Sequence, residues 1–354
     1  MKAAFITDAI RRALDSAGLT RGSSRRGDDV RSIIDRALSA AGLSVPSAES
    51  PPARGAPERE SVQRGAGVET AGEFLSSTYS SVHGRRDYKL YVPTACDGRP
   101  MPLVVMLHGC RQSPEDFAAG TRMNEHAEHH KFLVAYPAQT ARANGSNCWN
   151  WFDPAHQRRE GAEPALIAGI VRDIAKTHAV LPRKVFVAGL SAGAAMAVIL
   201  GRAYPDVFAA VAAHSGLPVG AAHDVGSAFA AMQGRAEELV AAHRDGPPVR
   251  TIVFHGDADS TVTMRNGAAI VEQAVSAFEH GGKQLQRLVR LDADYRGKRC
   301  TTTTFTDVSG ASVVEHWVVH GGVHAWSGGS SAGSFTVANG PDASGEILRF
   351  FLEP

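Results

Sequence analysis

Residues 185–200 read Val-Phe-Val-Ala-Gly-Leu-Ser-Ala-Gly-Ala-Ala-Met-Ala-Val-Ile-Leu. A β-branched run leads into Gly189-Leu190-Ser191-Ala192-Gly193, and an alanine-rich helical segment follows. This is a G-x-S-x-G turn between a strand and a helix, the setting that pushes a serine hydroxyl out above a sheet. Small residues are required because side chains at Gly189 and Gly193 would collide with neighbouring backbone. The N–H of Ala192, at the start of the helix, would then face an incoming carbonyl oxygen.

A serine hydroxyl needs a base to take its proton and a carboxylate to orient that base. Val249–Phe254 is a strand pattern that runs into His255-Gly256-Asp257-Ala258-Asp259-Ser260-Thr261-Val262. Asp259, beyond the turn, is the preferred acid. Asp257 is the alternative, and would otherwise hold the turn by bonding its own backbone. Of the later histidines, His316 lies within a strand pattern (312–319), and His320 closes it. His324 sits in the glycine-bracketed loop Gly321-Gly322-Val323-His324-Ala325-Trp326-Ser327-Gly328-Gly329 and is the expected base.

A second donor to a developing oxyanion should come from the loop after an earlier central strand. Leu103–Leu107 is such a strand and ends in His108-Gly109-Cys110-Arg111-Gln112. The Cys110 N–H is the expected donor, with Gly109 and Arg111 as the alternatives, and His108 is expected to brace the loop. Trp149, Trp151, Phe152 and Trp326 are either core or an apolar wall for an acyl chain.

Taken in order, His108-Gly109-Cys110, Cys148-Trp149-Asn150-Trp151-Phe152, Gly189–Gly193, His255-Gly256-x-x-Asp259 and Gly322-x-His324-Ala325-Trp326-Ser327-Gly328-Gly329 resemble the poly(3-hydroxybutyrate) depolymerase family of esterases. The resemblance covers about residues 75–354. It implies an α/β-hydrolase fold and a serine carboxylesterase with Ser191, Asp259 and His324 as nucleophile, acid and base. The expected substrate is a poly(3-hydroxybutyrate)-type polyester or its oligomers. Feruloyl and acetylxylan esterases are similar to this family and form the alternative. A protein that binds polyester granules with a vestigial esterase site is the alternative of another class. The resemblance also implies a Cys110–Cys148 bridge. Cys96 and Cys300 carry no expectation.

The 354 residues are 44% hydrophobic with a formal net charge of +1, enough for a large core and without a field that recruits nucleic acid. The longest apolar stretch, around 185–200, contains the serine turn and is too short to span a bilayer. The start Met1–Asp8 lacks a secretory apolar segment, so a cytoplasmic location is expected. A bridge between Cys110 and Cys148 would point instead outside the cell. No cofactor or metal is expected: His126, His129 and His130 have helical spacing but fit a solvated face.

The pattern predicts a doubly wound, mostly parallel sheet with a short helical N-terminal extension. Antiparallel strands at 74–82 and 88–92 are followed by strands near 103–107, 132–136, 184–188, 207–213, 249–254, 302–306 and 313–319. Helices are expected near 119–130, 162–178, 192–204, 265–279 and 342–352. Residues 1–46 carry two similar amphipathic segments, 10–19 and 34–43, that could dock on a granule surface. Residues 47–72 read as a linker, and 73–354 as the catalytic domain.

Overall fold

The computed structural model describes residues 72–235 and 247–353. The helical extension and linker expected over 1–46 and 47–72 lie outside the described residues, apart from Gly72.

Ten strands form one sheet: β1 (Glu73–Ser81), β2 (Gly84–Val92), β3 (Met101–Leu107), β4 (Leu133–Pro137), β5 (Val180–Leu190), β6 (Ala210–His214), β7 (Arg250–Gly256), β8 (Gln286–Tyr295), β9 (Lys298–Thr306) and β10 (Ser312–Val319). Their order is β1-β2-β4-β3-β5-β6-β7-β10-β9-β8. The six strands from β4 to β10 are parallel, and an antiparallel pair flanks each side. A short parallel pair, β11 (Trp326–Ser327) and β12 (Thr336–Val337), lies apart from this sheet.

The parallel strands are apolar on both faces because helices cover both. On β3, Leu103, Val105 and Leu107 face one core layer while Val104 and Met106 face the other, the period of two expected of a pleated strand. The same alternation puts Val187 on one side of β5 and Phe186 with Ala188 on the other. Among the described residues the α-helices are α1 (Pro114–Thr121), α2 (Met123–His130), α3 (Ala162–Thr177), α4 (Ala192–Ala203), α5 (Val225–Met232), α6 (Met264–His280) and α7 (Ala343–Leu352). Among the described residues no helix is long and apolar enough to cross a membrane.

Several elements differ from expectation. The single helix expected near 119–130 is two, α1 and α2. Ser113 caps α1 by accepting from Asp116 N, Pro114 occupies its first turn, and Arg122 breaks the run in the left-handed region (φ 55°). Strand β8 was not expected. It pairs with β9 through Arg296-Gly297, both at positive φ, and exposes Leu288 and Val289 at the sheet edge. Helix α5 was also not expected, although Asp224 and Ser227 form a capping box at its start.

Candidate active site

The parallel strands all end on one side of the sheet, where a doubly wound fold places its site. Loops after β3, β5, β7 and β10 bring Cys110, Ser191, Asp259 and His324 to that side.

Ser191 follows β5 directly and opens α4 with φ 58° and ψ −120°, a strained conformation for a residue with a Cβ. Its N–H donates to His214 O at 2.9 Å. The flanking glycines are needed for close approach. A Cβ at Gly189 would lie 2.3 Å from Gly193 C, and one at Gly193 would lie 2.1 Å from Leu107 O. Strand, turn and helix therefore touch backbone to backbone, and the serine side chain is the one left to project.

The acid and base are joined. Asp259 Oδ2 accepts from His324 Nδ1 at 2.7 Å, and Asp259 Oδ1 accepts from the N–H groups of Thr261 (2.9 Å) and Val262 (2.8 Å). Burial works against the charge on Asp259, but the bond from His324 and the backbone donors outweigh it and hold the carboxyl below its usual value. An ionised Asp259 requires the proton on His324 Nδ1, which leaves the Nε2 lone pair free to act as a base. Asp257 pairs elsewhere: its Oδ2 meets His320 Nδ1 at 2.8 Å, and its Oδ1 accepts from Gly321 N at 2.6 Å. The sequence suggested that Asp257 bonds its own turn; its side chain instead reaches across to the loop after β10. His316 lies on β10 as expected.

The loop after β3 distinguishes the three candidate donors. Gly109 N–H is spent on Gln112 Oε1 (2.9 Å) and Arg111 N–H on Ser146 O (2.9 Å). Cys110 N–H has no acceptor among the described residues, and Ala192 N–H belongs to the first helical turn, where no intrahelical partner exists. A Cβ placed on Gly109 would lie 3.7 Å from Ser191 Cβ, so this loop adjoins the serine. His108 braces it. Its Nε2 accepts from Gln139 N (3.1 Å), which sets Nδ1–H to donate to Gly109 O (2.8 Å), and burial lowers its pKa to about 4. Cys110 is disulfide-bonded to Cys148, tying the loop to the tryptophan-rich segment.

Three of the aromatic residues read as possible substrate contacts are core. Trp149 is fully buried, with its Nε1–H on His108 O at 3.0 Å. Trp326 is 1% exposed, stacks on His214 at 5.2 Å, and donates to Ser344 Oγ at 3.1 Å. Trp151 is nearly as buried, and Phe152 packs edge-on against it while remaining partly exposed. The indole N–H groups of Trp149 and Trp326 find partners inside the protein, which is what lets a tryptophan be buried whole.

Three supporting features were missed in the sequence. His214 sits between Phe254 and Trp326, accepts Ser327 N on Nε2 at 3.1 Å, and through its carbonyl holds Ser191 N. Buried Glu163 accepts from Asn150 N (2.8 Å) and Asn150 Nδ2 (2.8 Å), and also bonds Gln139, which holds His108. Arg86 joins the same network through Gln139 and lies over the Trp149 ring at 5.6 Å. The pairings span from 13 to 113 residues, so no local spacing marks them.

A family model described as Esterase PHB depolymerase matches residues 86–280. The chain is 36% identical over 182 residues to poly(3-hydroxyalkanoate) depolymerase C of Paucimonas lemoignei, which covers 49% of this chain and 44% of that protein. It is 36% identical over 129 residues to feruloyl esterase B of Neurospora crassa, covering 36% of this chain and 42% of that one. The chain thus spans less than half the length of these two relatives. An acetyl xylan esterase structure from Aspergillus awamori aligns with a TM-score of 0.58 at 19% identity, over 78% of this chain and 98% of that one. The shared architecture is the α/β-hydrolase fold.

Proposed function

The chain belongs to the Esterase PHB depolymerase family, and from that membership and the geometry of its site we propose that it is a serine carboxylic-ester hydrolase. The observation that carries this reading is the buried His324 Nδ1–Asp259 Oδ2 contact on the side of the sheet where Ser191 stands on its strained turn. His324 Nε2 takes the Ser191 hydroxyl proton as Oγ bonds to the ester carbonyl carbon. The carbonyl oxygen gains the negative charge and is held by the N–H groups of Cys110 and Ala192. The tetrahedral species collapses, the C–O bond to the leaving alkoxide breaks, and His324 returns the proton to it. Water, deprotonated by the same nitrogen, then releases the acid and restores Ser191.

For substrate we propose esters of short hydroxyacids, as polyester or its oligomers, with partly exposed Phe152 as the aromatic side chain available to an acyl chain. The family description supports this choice, and the feruloyl esterase relative supports the alternative. Residues 1–46 are proposed to dock on a polyester surface, on the strength of their repeated amphipathic segments. The Cys110–Cys148 bond supports an oxidising compartment rather than the cytoplasm expected from the N-terminus.

A panel of hydroxybutyrate trimer, methyl ferulate and acetylated xylan tests the substrate. The trimer is expected to have the highest kcat/KM, and preference for either plant ester would replace the polyester reading. Sedimentation with polyester granules but no hydrolysis of any ester would favour the granule-binding alternative.

A further inference from the structure

The loop that carries His324 is exposed at Gly321 and Val323 and opens on the glycine pair Gly321-Gly322, yet His324 itself is only 7% exposed. A glycine-rich loop carries a large conformational entropy, so something must hold its tip in place. The acid-bearing turn does so in register. Asp257 N–H donates to Val319 O (3.2 Å), Asp257 Oδ2 accepts from His320 Nδ1 (2.8 Å), Asp257 Oδ1 accepts from Gly321 N (2.6 Å), and Ala258 N–H donates to Gly322 O (3.1 Å). The next contact in this ladder is Asp259 with His324. His320 is fixed from its far side by Thr301 Oγ1 on β9, 2.9 Å from Nε2, and Lys298 Nζ donates to Gly321 O at 3.0 Å.

We propose that Asp257 and His320 are positioning residues: a second aspartate–histidine pair that aligns the base-bearing loop so that His324 meets Asp259. The proposal rests on the reading of Ser191, Asp259 and His324 as nucleophile, acid and base. Asp257 supplies two side-chain contacts of the ladder, to His320 and to Gly321 N–H, at the start of the glycine pair where the loop would otherwise pivot. Burial opposes its charge, but His320 and Gly321 N–H together keep its carboxyl below the usual value, so it accepts both bonds as a carboxylate at neutral pH. Productive geometry at such a site must be held to about 0.5 Å.

The test compares the full-length parent with Asp257→Ala, Asp257→Asn and Asp259→Asn on a p-nitrophenyl ester, with kcat and KM followed across pH. Asp257→Ala is expected to lower kcat by about 10- to 100-fold, the scale of an ångström-level misplacement, with KM within about two-fold. The acid limb of its kcat profile should move to lower pH, because an imidazolium less well seated on Asp259 loses its proton more readily. Asp257→Asn, which still accepts from Gly321 N through its amide oxygen, should recover part of the loss. The proposal is overturned by Asp257→Ala at parental kcat across pH. It is equally overturned by a loss of kcat that leaves the acid limb in place, the sign of a purely structural role. If Asp257→Ala is normal while Asp259→Asn is inactive, only this proposal fails. If Asp259→Asn stays active, the assignment of the acid fails with it.

Discussion

Asp259→Asn is expected to lower kcat on a soluble p-nitrophenyl ester by about 10⁴-fold with little change in KM, the scale seen when the triad carboxylate becomes an amide. The backbone bonds from Thr261 N and Val262 N can still be accepted by an amide oxygen, so the turn should survive. What is lost is the acceptor for His324 Nδ1–H. Facing an NH₂ group, the imidazole is driven to the other tautomer and presents Nε2–H to Ser191, where a lone pair is needed. The positive charge that forms on His324 during attack also loses its counter-charge in a buried setting. Kinetics on the purified, folded variant check this, and activity within about ten-fold of the parent would exclude Asp259 as the orienting acid.

Acid should unfold the domain well before its carboxylates finish titrating. His108 and His214 are buried, His316 is partly buried, and all three are neutral, with desolvation lowering their pKa values to about 4, about 3 and about 4. His214 has no room for a second proton, because its Nε2 accepts from Ser327 N. In the unfolded chain each would titrate near the ordinary histidine value of about 6.5. Since the folded pKa values are depressed, the unfolded state binds more protons between pH 6.5 and about 4, and stability falls as pH falls through that window. Each such group contributes about 1.4 kcal/mol per pH unit, so the three together give a slope of roughly 4 kcal/mol per unit. Asp259, also depressed, adds loss of the same sign at the acid end. A net stability of about 5–15 kcal/mol would be exhausted within a few pH units. Urea midpoints at pH 7, 6, 5 and 4.5 should drop progressively; constant midpoints from pH 7 to 4.5 would contradict the neutral, desolvated state of these rings.

The central parallel sheet and the serine turn were legible because their physics is local. Gly189 and Gly193 announce a backbone contact that the structure bears out, and the apolar runs of β3, β5 and β7 leave little alternative to buried strands. Strand β8 was not legible because it lies at an edge with solvent around it, so no alternation is imposed on Gln286–Tyr295. The choice between Asp257 and Asp259 was undecidable from spacing. Both sit on one turn, and their partners His320 and His324 arrive from a loop more than sixty residues downstream. The choice between core and ligand wall for the aromatics stayed open for a similar reason. Trp149 and Trp326 lie in loop segments that fit either reading, and it is His108 O and Ser344 Oγ, each distant in sequence, that accept their N–H groups and make complete burial possible.

If Ser191 is the nucleophile, it must carry the acyl group during turnover. Brief mixing of the enzyme with p-nitrophenyl butyrate, acid quenching and peptide mass mapping should find a butyryl group on the peptide that contains Ser191, absent from Ser191→Ala, whose turnover should fall by about 10⁴-fold or more. Near-parental turnover by pure Ser191→Ala, or a butyryl group that maps to a different residue and persists in that variant, would contradict it.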